Sequence, residues 1–322
     1  MLGFLPPLLR MLLTLSLGII NTILHGSVTV LPLPFKWLAP RSALTDRVTR
    51  FCLRSTENWS AINGWLIRKL LPPIDWQIDL PPLDPSRNYF LVCNHQSWVD
   101  IVLLFTIFNR KIPLIRFFTK REIAWIPFVG FALVALDFPL MQRYSREKLA
   151  KHPHLRGKDV ETTRQSCRQI ARNPFSVLNF LEGTRFTPVK HDHQQSPFRY
   201  LLKPKATGMS FALSSLGDSV TEMVDVTLYY PDGIPTFLDL WSGRIRKVVV
   251  SARVMPIPAG YSAGDYENDP AFRAEFQGWV QNLWAEKDAL LVEMSRQHAP
   301  VAEAAPTPGR NPFSELTRFF TP

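Results

Sequence analysis

His95 and Asp100 lie five residues apart in the stretch Cys93-Asn94-His95-Gln96-Ser97-Trp98-Val99-Asp100. An imidazole oriented by a carboxylate, beside exposed helix N–H groups, is the arrangement that general-base chemistry needs. On one continuous helix these two residues would point about 140° apart, so the chain must bend between them. The run Tyr89-Phe90-Leu91-Val92 before them reads as a buried strand, and residues 101–108 after them read as a buried helix. Ser97, with an acidic residue three positions on, is a helix-start pattern. His95 then falls on the loop at the strand's C-terminal end, and Asp100 falls in the helix's first turn. Cys93 is two residues from His95; a small buried strand residue accounts for it better than a nucleophile does.

A second cluster, Leu181-Glu182-Gly183-Thr184-Arg185, follows another apolar strand, Ser176-Val177-Leu178-Asn179-Phe180. Glycine permits a tight turn and close approach of a ligand to the backbone. The Thr184 hydroxyl and the planar fork of Arg185 offer donors suited to phosphate. Each motif alone is weak. Together, in this order and about 85 residues apart, each at a strand end, they define a site. His191-Asp192-His193 and Lys151-His152-Pro153-His154 contain metal-ligand residue types, but both read as exposed polar loops, and no metal is expected.

The elements that must position these residues follow from pattern. Strands are expected over 76–80, 89–94, 114–118, 175–181, 222–230, 237–241 and 247–255, and helices over 97–108, 159–172, 208–216 and 270–297. Strand-to-helix alternation predicts an α/β fold with a mixed, largely parallel sheet covered by helices on both faces. That domain is expected over 73–298, preceded by membrane-anchoring helices over 1–72 and followed by a disordered Ala/Pro-rich tail over 299–322.

Formal net charge is +10, with 46% hydrophobic and 20% charged residues, a globular composition with an anionic partner. Residues 1–70 carry eight basic residues against two acidic ones (Asp46 and Glu57), beside the most apolar segment. An anionic membrane surface therefore fits better than nucleic acid. Eleven Leu, Ile and Val residues lie between Leu12 and Leu31, worth roughly −4 kcal/mol on an insertion scale. Asn21, Thr22 and His25 offset much of that, so an interfacial or re-entrant anchor competes with a full span. Residues 42–71 predict a basic amphipathic helix with tryptophans. Three widely spaced cysteines imply a reduced compartment.

From about Trp76 to Tyr230 the chain resembles the glycerophospholipid acyltransferase family, specifically the 1-acylglycerol-3-phosphate acyltransferases (PlsC-like). Asn94-His95-Gln96-Ser97-Trp98-Val99-Asp100 matches the family's His-x4-Asp block. Phe180-Leu181-Glu182-Gly183-Thr184-Arg185 matches Phe-Pro-Glu-Gly-Thr-Arg, with Leu at the Pro position. The usual Gly-x-x-Phe-x-x-Arg block is stretched here, leaving Arg143 as the equivalent arginine, and Val224–Pro231 stands where the fourth block belongs. These departures are similar to the subgroup containing bacterial YihG-type proteins. The resemblance implies acyl transfer from acyl-CoA or acyl carrier protein to the free hydroxyl of a lysophospholipid, most of all 1-acylglycerol-3-phosphate. It implies His95 as general base oriented by Asp100, with Arg143, Glu182, Gly183, Thr184, Arg185, Lys203 and Lys205 binding substrate and no cofactor. The Gly183 N–H and the helix start after Ser97 are candidates to stabilise the oxyanion. It further implies a bacterial inner-membrane location, with the catalytic domain on the cytoplasmic side. A thioesterase or phospholipase using water with the same dyad, and a membrane-tethered nucleic-acid-binding protein, are the alternatives.

Overall fold

The computed structural model describes residues 4–38, 42–120, 129–141 and 170–298, together with positions 125, 165, 167 and 168. Arg143, most of the helix expected over 159–172 and the 299–322 tail lie outside the described residues.

The chain opens with three helices, α1 (Pro7–Val30), α2 (Leu33–Leu38) and α3 (Ala43–Leu70). Then come β1 (Asp75–Asp79), β2 (Tyr89–Cys93), α4 (Val99–Phe108), β3 (Ile115–Phe117), β4 (Thr119–Lys120), α5 (Val129–Ala135) and β5 (Leu140–Met141). After these follow β6 (Ser176–Phe180), α6 (Pro188–Gln194), α7 (Ala206–Leu216), β7 (Glu222–Tyr229), α8 (Phe237–Ser242), β8 (Lys247–Pro256) and α9 (Pro270–Gln297).

Six strands form one sheet in the order β1-β8-β7-β2-β6-β3. β7, β2, β6 and β3 run parallel, while β8 is antiparallel to β7 and parallel to β1. The sheet is mixed and largely parallel, as the alternation of elements predicts. β2 is buried at every position, which is why it reads as a continuous apolar run rather than an alternating one. One sheet face packs on α1, α3, α4 and α8 through Met11, Leu66, Leu103 and Trp241. The other packs on α7 and α9 through Met209, Leu213, Phe276 and Trp284.

Two local expectations change. Residues 237–241 form a helix, not a strand. The Thr236 hydroxyl accepts from Asp239 N–H at 3.2 Å, the Asp239 carboxylate accepts from Thr236 N–H at 2.8 Å, and Gly243 closes the end in the left-handed region. These two caps decide between helix and strand where a short apolar run alone cannot. Residues around His191 form α6 rather than a loop, with Thr187 as N-cap and Pro188 in the first turn.

The N-terminal helices are integrated into this fold. Arg10 donates to the Ser242 carbonyl at 2.9 Å, and the Thr14 hydroxyl donates to the Trp241 carbonyl at 2.7 Å. α1 and α3 run antiparallel, joined by Asn21 to Asn63 at 2.9 Å and His25 to Ser55 at 3.0 Å. Polar and small side chains face inward along this pair: Thr14, Gly18, Asn21, Thr49, Ser55 and Ser60. The outer surface carries Leu12, Ile20, Ile23, Phe51, Ile62 and Trp65. On α1 that is the reverse of the usual arrangement in water, whereas the outer side of α3 mixes its apolar residues with Arg47, Arg50, Arg54 and Arg68.

Candidate active site

Parallel neighbours β2 and β6 end side by side, with Cys93 opposite Phe180. The loops leaving them therefore share one rim of the sheet, the usual place for a ligand in such folds. The Asn94 side chain prolongs the β2–β7 ladder: its amide donates to the Leu228 carbonyl at 2.8 Å, and its oxygen accepts from Leu228 N–H at 2.9 Å. This fixes the chain just before it bends.

The bend brings His95 Nδ1 to 2.9 Å from Asp100 Oδ2. The same oxygen accepts Gln96 N–H at 2.6 Å and Ser97 N–H at 2.8 Å, and Oδ1 accepts the Tyr230 hydroxyl at 2.7 Å. Asp100 has no exposed surface. With both oxygens occupied by donors, the carboxylate keeps the proton of His95 on Nδ1 and leaves Nε2 as an acceptor. The His95 ring stacks on Phe180 at 3.9 Å between centroids and lines a cavity of about 1940 Å³. The Ser97 hydroxyl accepts Val99 N–H at 3.1 Å and donates to the Pro235 carbonyl at 2.5 Å. Helix α4 starts at Val99, two residues inside its expected limit.

Glu182, expected to contact substrate, turns inward instead. It has no exposed surface, and its two oxygens accept His95 N–H at 2.8 Å and Leu202 N–H at 3.0 Å. The His95 carbonyl in turn accepts Phe186 N–H at 2.7 Å. Glu182 thus anchors the His95 loop to the β6 loop from below. Burial pushes its carboxyl up to about 7, against the two backbone donors that pull it down.

Gly183 has φ +64, and a Cβ there would meet Lys205 Nζ at 2.9 Å and Cδ at 3.0 Å. Any other residue would be strained at this φ and would push the Lys205 side chain aside. The Gly183 N–H donates to the Phe180 carbonyl at 2.8 Å. It is therefore already spent and is not free for an oxyanion. At the helix start after Ser97, Val99 N–H is taken by the Ser97 hydroxyl at 3.1 Å and Asp100 N–H by the Ser97 carbonyl at 3.2 Å, while Gln96 and Ser97 N–H are committed to Asp100.

Thr184, Arg185 and Lys205 line the cavity with His95. The Arg185 guanidinium lies 4.8 Å above the Trp98 ring, within cation–π range. Lys203 is exposed and absent from the cavity lining; its N–H donates to Gln194 Oε1 at 3.2 Å. Burial pushes the Cys93 thiol well above its ordinary value, so it is an inert buried strand residue.

Two residues escaped the sequence reasoning. Lys190 on α6 donates to the Thr184 hydroxyl at 2.8 Å and to the Arg185 carbonyl at 3.2 Å. An ammonium only donates, so the Thr184 hydroxyl must accept from it and aim its own proton elsewhere. Tyr230, one residue past β7, holds the far oxygen of Asp100. Its position was legible in principle, because β7 lies parallel beside β2 and its end must reach the same rim. His191 is a structural residue of α6: Nε2–H donates to the Phe198 carbonyl at 2.7 Å.

Residues 78–230 match the protein-family model described as Acyltransferase, and this segment holds both loops of the site. The match covers a little under half of the chain and says what this segment is similar to. Among known proteins, 1-acyl-sn-glycerol-3-phosphate acyltransferase gamma of Mus musculus is 26% identical over 244 residues, covering 72% of this chain and 59% of that protein. Lysocardiolipin acyltransferase 1 of Danio rerio is 26% identical over 227 residues, covering 64% and 52%. 2-Acyl-1-lysophosphatidylinositol acyltransferase of Saccharomyces cerevisiae is 23% identical over 244 residues, covering 64% and 61%. The chain thus spans 52–61% of the length of these three relatives. The crystal structure of the 1-acyl-sn-glycerophosphate acyltransferase PlsC from Thermotoga maritima aligns with a TM-score of 0.47 at 16% identity, covering 87% of this chain and 97% of that one.

Proposed function

We propose that this protein transfers a fatty acyl group from an acyl thioester, acyl-CoA or acyl carrier protein, to the free hydroxyl of a lysophospholipid. Lysophosphatidate is the leading acceptor and phosphatidic acid the product. The observation that carries this reading is the His95–Asp100 pair at 2.9 Å, opening into the cavity that Arg185 and Lys205 also line.

His95 Nε2 takes the hydroxyl proton as the alcohol oxygen attacks the thioester carbon. The C–O ester bond forms, the C–S bond breaks, and the proton passes from His95 to the departing thiolate. Asp100 holds the ring in the tautomer this requires and stabilises the imidazolium. A thioester is already activated, so no covalent enzyme intermediate and no cofactor enter the scheme. Arg185, the Thr184 hydroxyl and Lys205 hold the acceptor's phosphate, joined by Arg143 as the resemblance implies. Glu182 serves as a positioning residue for His95 rather than a substrate ligand.

The exposed apolar residues of α1 and α3 support action at a membrane. Their outer apolar residues leave water only by entering lipid, and Arg47, Arg50 and Arg54 on the exposed side of α3 suit anionic headgroups. α1 is long and apolar enough to cross a membrane by length and composition, yet its buried flank is committed to α3 and α8, which favours an interfacial seat over a lone span. The departures in the second and fourth blocks support the bacterial YihG-type subgroup, working at the cytoplasmic face of the inner membrane.

The test is to supply full-length protein in anionic vesicles with lysophosphatidate and either acyl-CoA or acyl carrier protein, and to identify products by mass. Phosphatidic acid formed by the native chain and not by His95→Ala is the expected result. Free fatty acid without phosphatidic acid would replace this reading with a thioesterase or phospholipase.

A further inference from the structure

The cavity does not end at the phosphate-binding cluster. From Lys205 it continues as a groove between α7 and α9. Thr207, Ser210 and Ser214 lie on one face of α7 at helical spacing, so they track the groove for about 10 Å at 1.5 Å per residue. Gln277 and Gln281, one turn apart on α9, form the opposite wall. Tyr266 ties the two walls together: its hydroxyl accepts from Gln277 Nε2 at 2.8 Å and from Thr207 at 3.5 Å.

The charge along this cavity is segregated. Among the described lining residues, the basic ones are His95, Arg185 and Lys205, all at the dyad end. The far end offers neutral hydroxyls and amides, with Asp265 and Glu267 at its margin. Arg273 stands beside this margin with its guanidinium committed to the Tyr266 and Glu267 carbonyls, so among the described lining residues a second phosphate would meet carboxylates and no free cation, whereas hydroxyl groups would find both donors and acceptors. A phosphomonoester needs none of this space, because nothing extends beyond its phosphate.

We propose that the α7–α9 groove is a headgroup subsite for an uncharged polyol, so that the protein accepts lysophospholipid phosphodiesters of the glycerol or inositol class. This rests on the acyl-transfer reading above. The geometry is consistent with it: the apolar outer face of α1 and α3 belongs to the opposite side of the sheet from α7 and α9. An acceptor with its acyl chain toward the first and its phosphate at Arg185 directs its headgroup along the second.

Gly208 and Gly278 give a way to close the groove. A Cβ at either meets no heavy atom within 4 Å, so a phenylalanine there projects into open space. Transfer should be measured with lysophosphatidate and lysophosphatidylglycerol of one acyl chain, using native protein, Gly208→Phe and Gly278→Phe. The ratio of kcat/KM for lysophosphatidylglycerol over lysophosphatidate should fall at least tenfold in each variant. An unchanged ratio overturns the proposal, and so does a rise confined to the KM of the acyl donor, which would make the groove the seat of the donor's arm. If native protein acylates neither acceptor, the acyl-transfer reading fails by itself. The groove is then read by calorimetry with glycerophosphoglycerol and glycerol 3-phosphate. Tighter binding of the former, lost in both variants, supports the subsite; equal binding refutes it.

Discussion

The two loops that meet at the sheet rim are built on opposite plans. The loop from His95 to Asp100 is held by carboxylates: Asp100 and Glu182 are both fully buried and between them accept three of its backbone N–H groups, the His95 ring and the Tyr230 hydroxyl. Glu182's second donor, Leu202 N–H, comes from beyond that loop. The loop from Gly183 to Lys205 is held and edged by cations: Lys190 secures Thr184 and Arg185, while Arg185 and Lys205 face the cavity. The difference separates two jobs. Anionic groups kept from solvent fix a ring whose position must not change, whereas cations at the cavity wall remain available to an anion. Charge burial is tolerable in the first loop because each oxygen is paired with a donor.

The sharpest way to break this division is to remove the ring itself. His95→Ala should lower acyl transfer by at least two orders of magnitude, the lower end of what general-base action contributes, ~10²–10⁴. Circular dichroism should be unchanged, because the ring is a cavity-lining group and its backbone bonds to Glu182 and Phe186 survive. Near-native turnover in the variant would remove the dyad from the mechanism.

Glu182 tests the carboxylate plan through stability. Its carboxyl titrates near 7 against an ordinary value of 4.5. Between those values the folded chain retains a proton that the unfolded chain has released, so stability falls as pH rises from about 4.5 to 7, by up to about 3 kcal/mol. His191, held above its ordinary value by the Phe198 carbonyl, contributes a slope of the same sign, so only a comparison isolates Glu182. Thermal unfolding of Glu182→Gln across pH 5–8 should lack the larger part of that slope. Parallel curves for native and variant protein would show that Glu182 does not titrate there.

Much of this comparison is visible in the linear chain. The apolar runs of β2 and β6 place both loops at strand ends, and Ser97 with Asp100 marks the bend that joins the dyad. Strands β7 and β8 and helix α9 lie within a residue or so of their expected limits, because long runs with strong periodicity leave little choice. What stays hidden depends on which elements become neighbours. Glu182 reads as a ligand in sequence because it adjoins Gly-Thr-Arg, yet its side chain points the other way, toward the backbone of His95, 87 residues earlier. Lys190 reaches Thr184 only because Thr187 caps α6 and turns it back. Gly183 reads as an anion donor until the turn that spends its N–H is seen. Residues 237–241 read as a strand because their apolar run outweighs the Thr236–Asp239 caps.

The cationic loop should respond in a different kinetic term. Arg185→Ala should chiefly weaken the phosphate-bearing acceptor, by about 1.5–3 kcal/mol, seen as a higher acceptor KM in saturation kinetics. An acceptor dependence equal to that of native protein would deny Arg185 this role. Lys190→Met should raise the same KM about tenfold, an effect of about 1.4 kcal/mol close to the range for charged hydrogen bonds, with kcat within about twofold, because Lys190 orients Thr184 without facing the reacting atoms. Lys190→Arg, which keeps a donor at the hydroxyl, should recover part of the loss. A fall in kcat with unaltered KM would mean that Lys190 supports the dyad and that the two loops are not separable.

Tyr230 gives the smallest effect and the finest cut. Its hydroxyl donates to the oxygen of Asp100 that His95 does not use, so Tyr230→Phe keeps the ring in the core and removes one donor. A buried carboxylate that loses one of four donors is a better proton acceptor, which draws the Nδ1 proton of His95 closer and makes Nε2 the more basic nitrogen. The variant should therefore lose stability by about 1–3 kcal/mol, the cost of leaving a buried oxygen unpaired, while the acidic limb of its pH–rate profile moves upward relative to native protein. A variant that loses stability with an unmoved acidic limb would make Tyr230 a packing residue only. Movement of the limb would show that Asp100 sets the basicity of His95 as well as its direction.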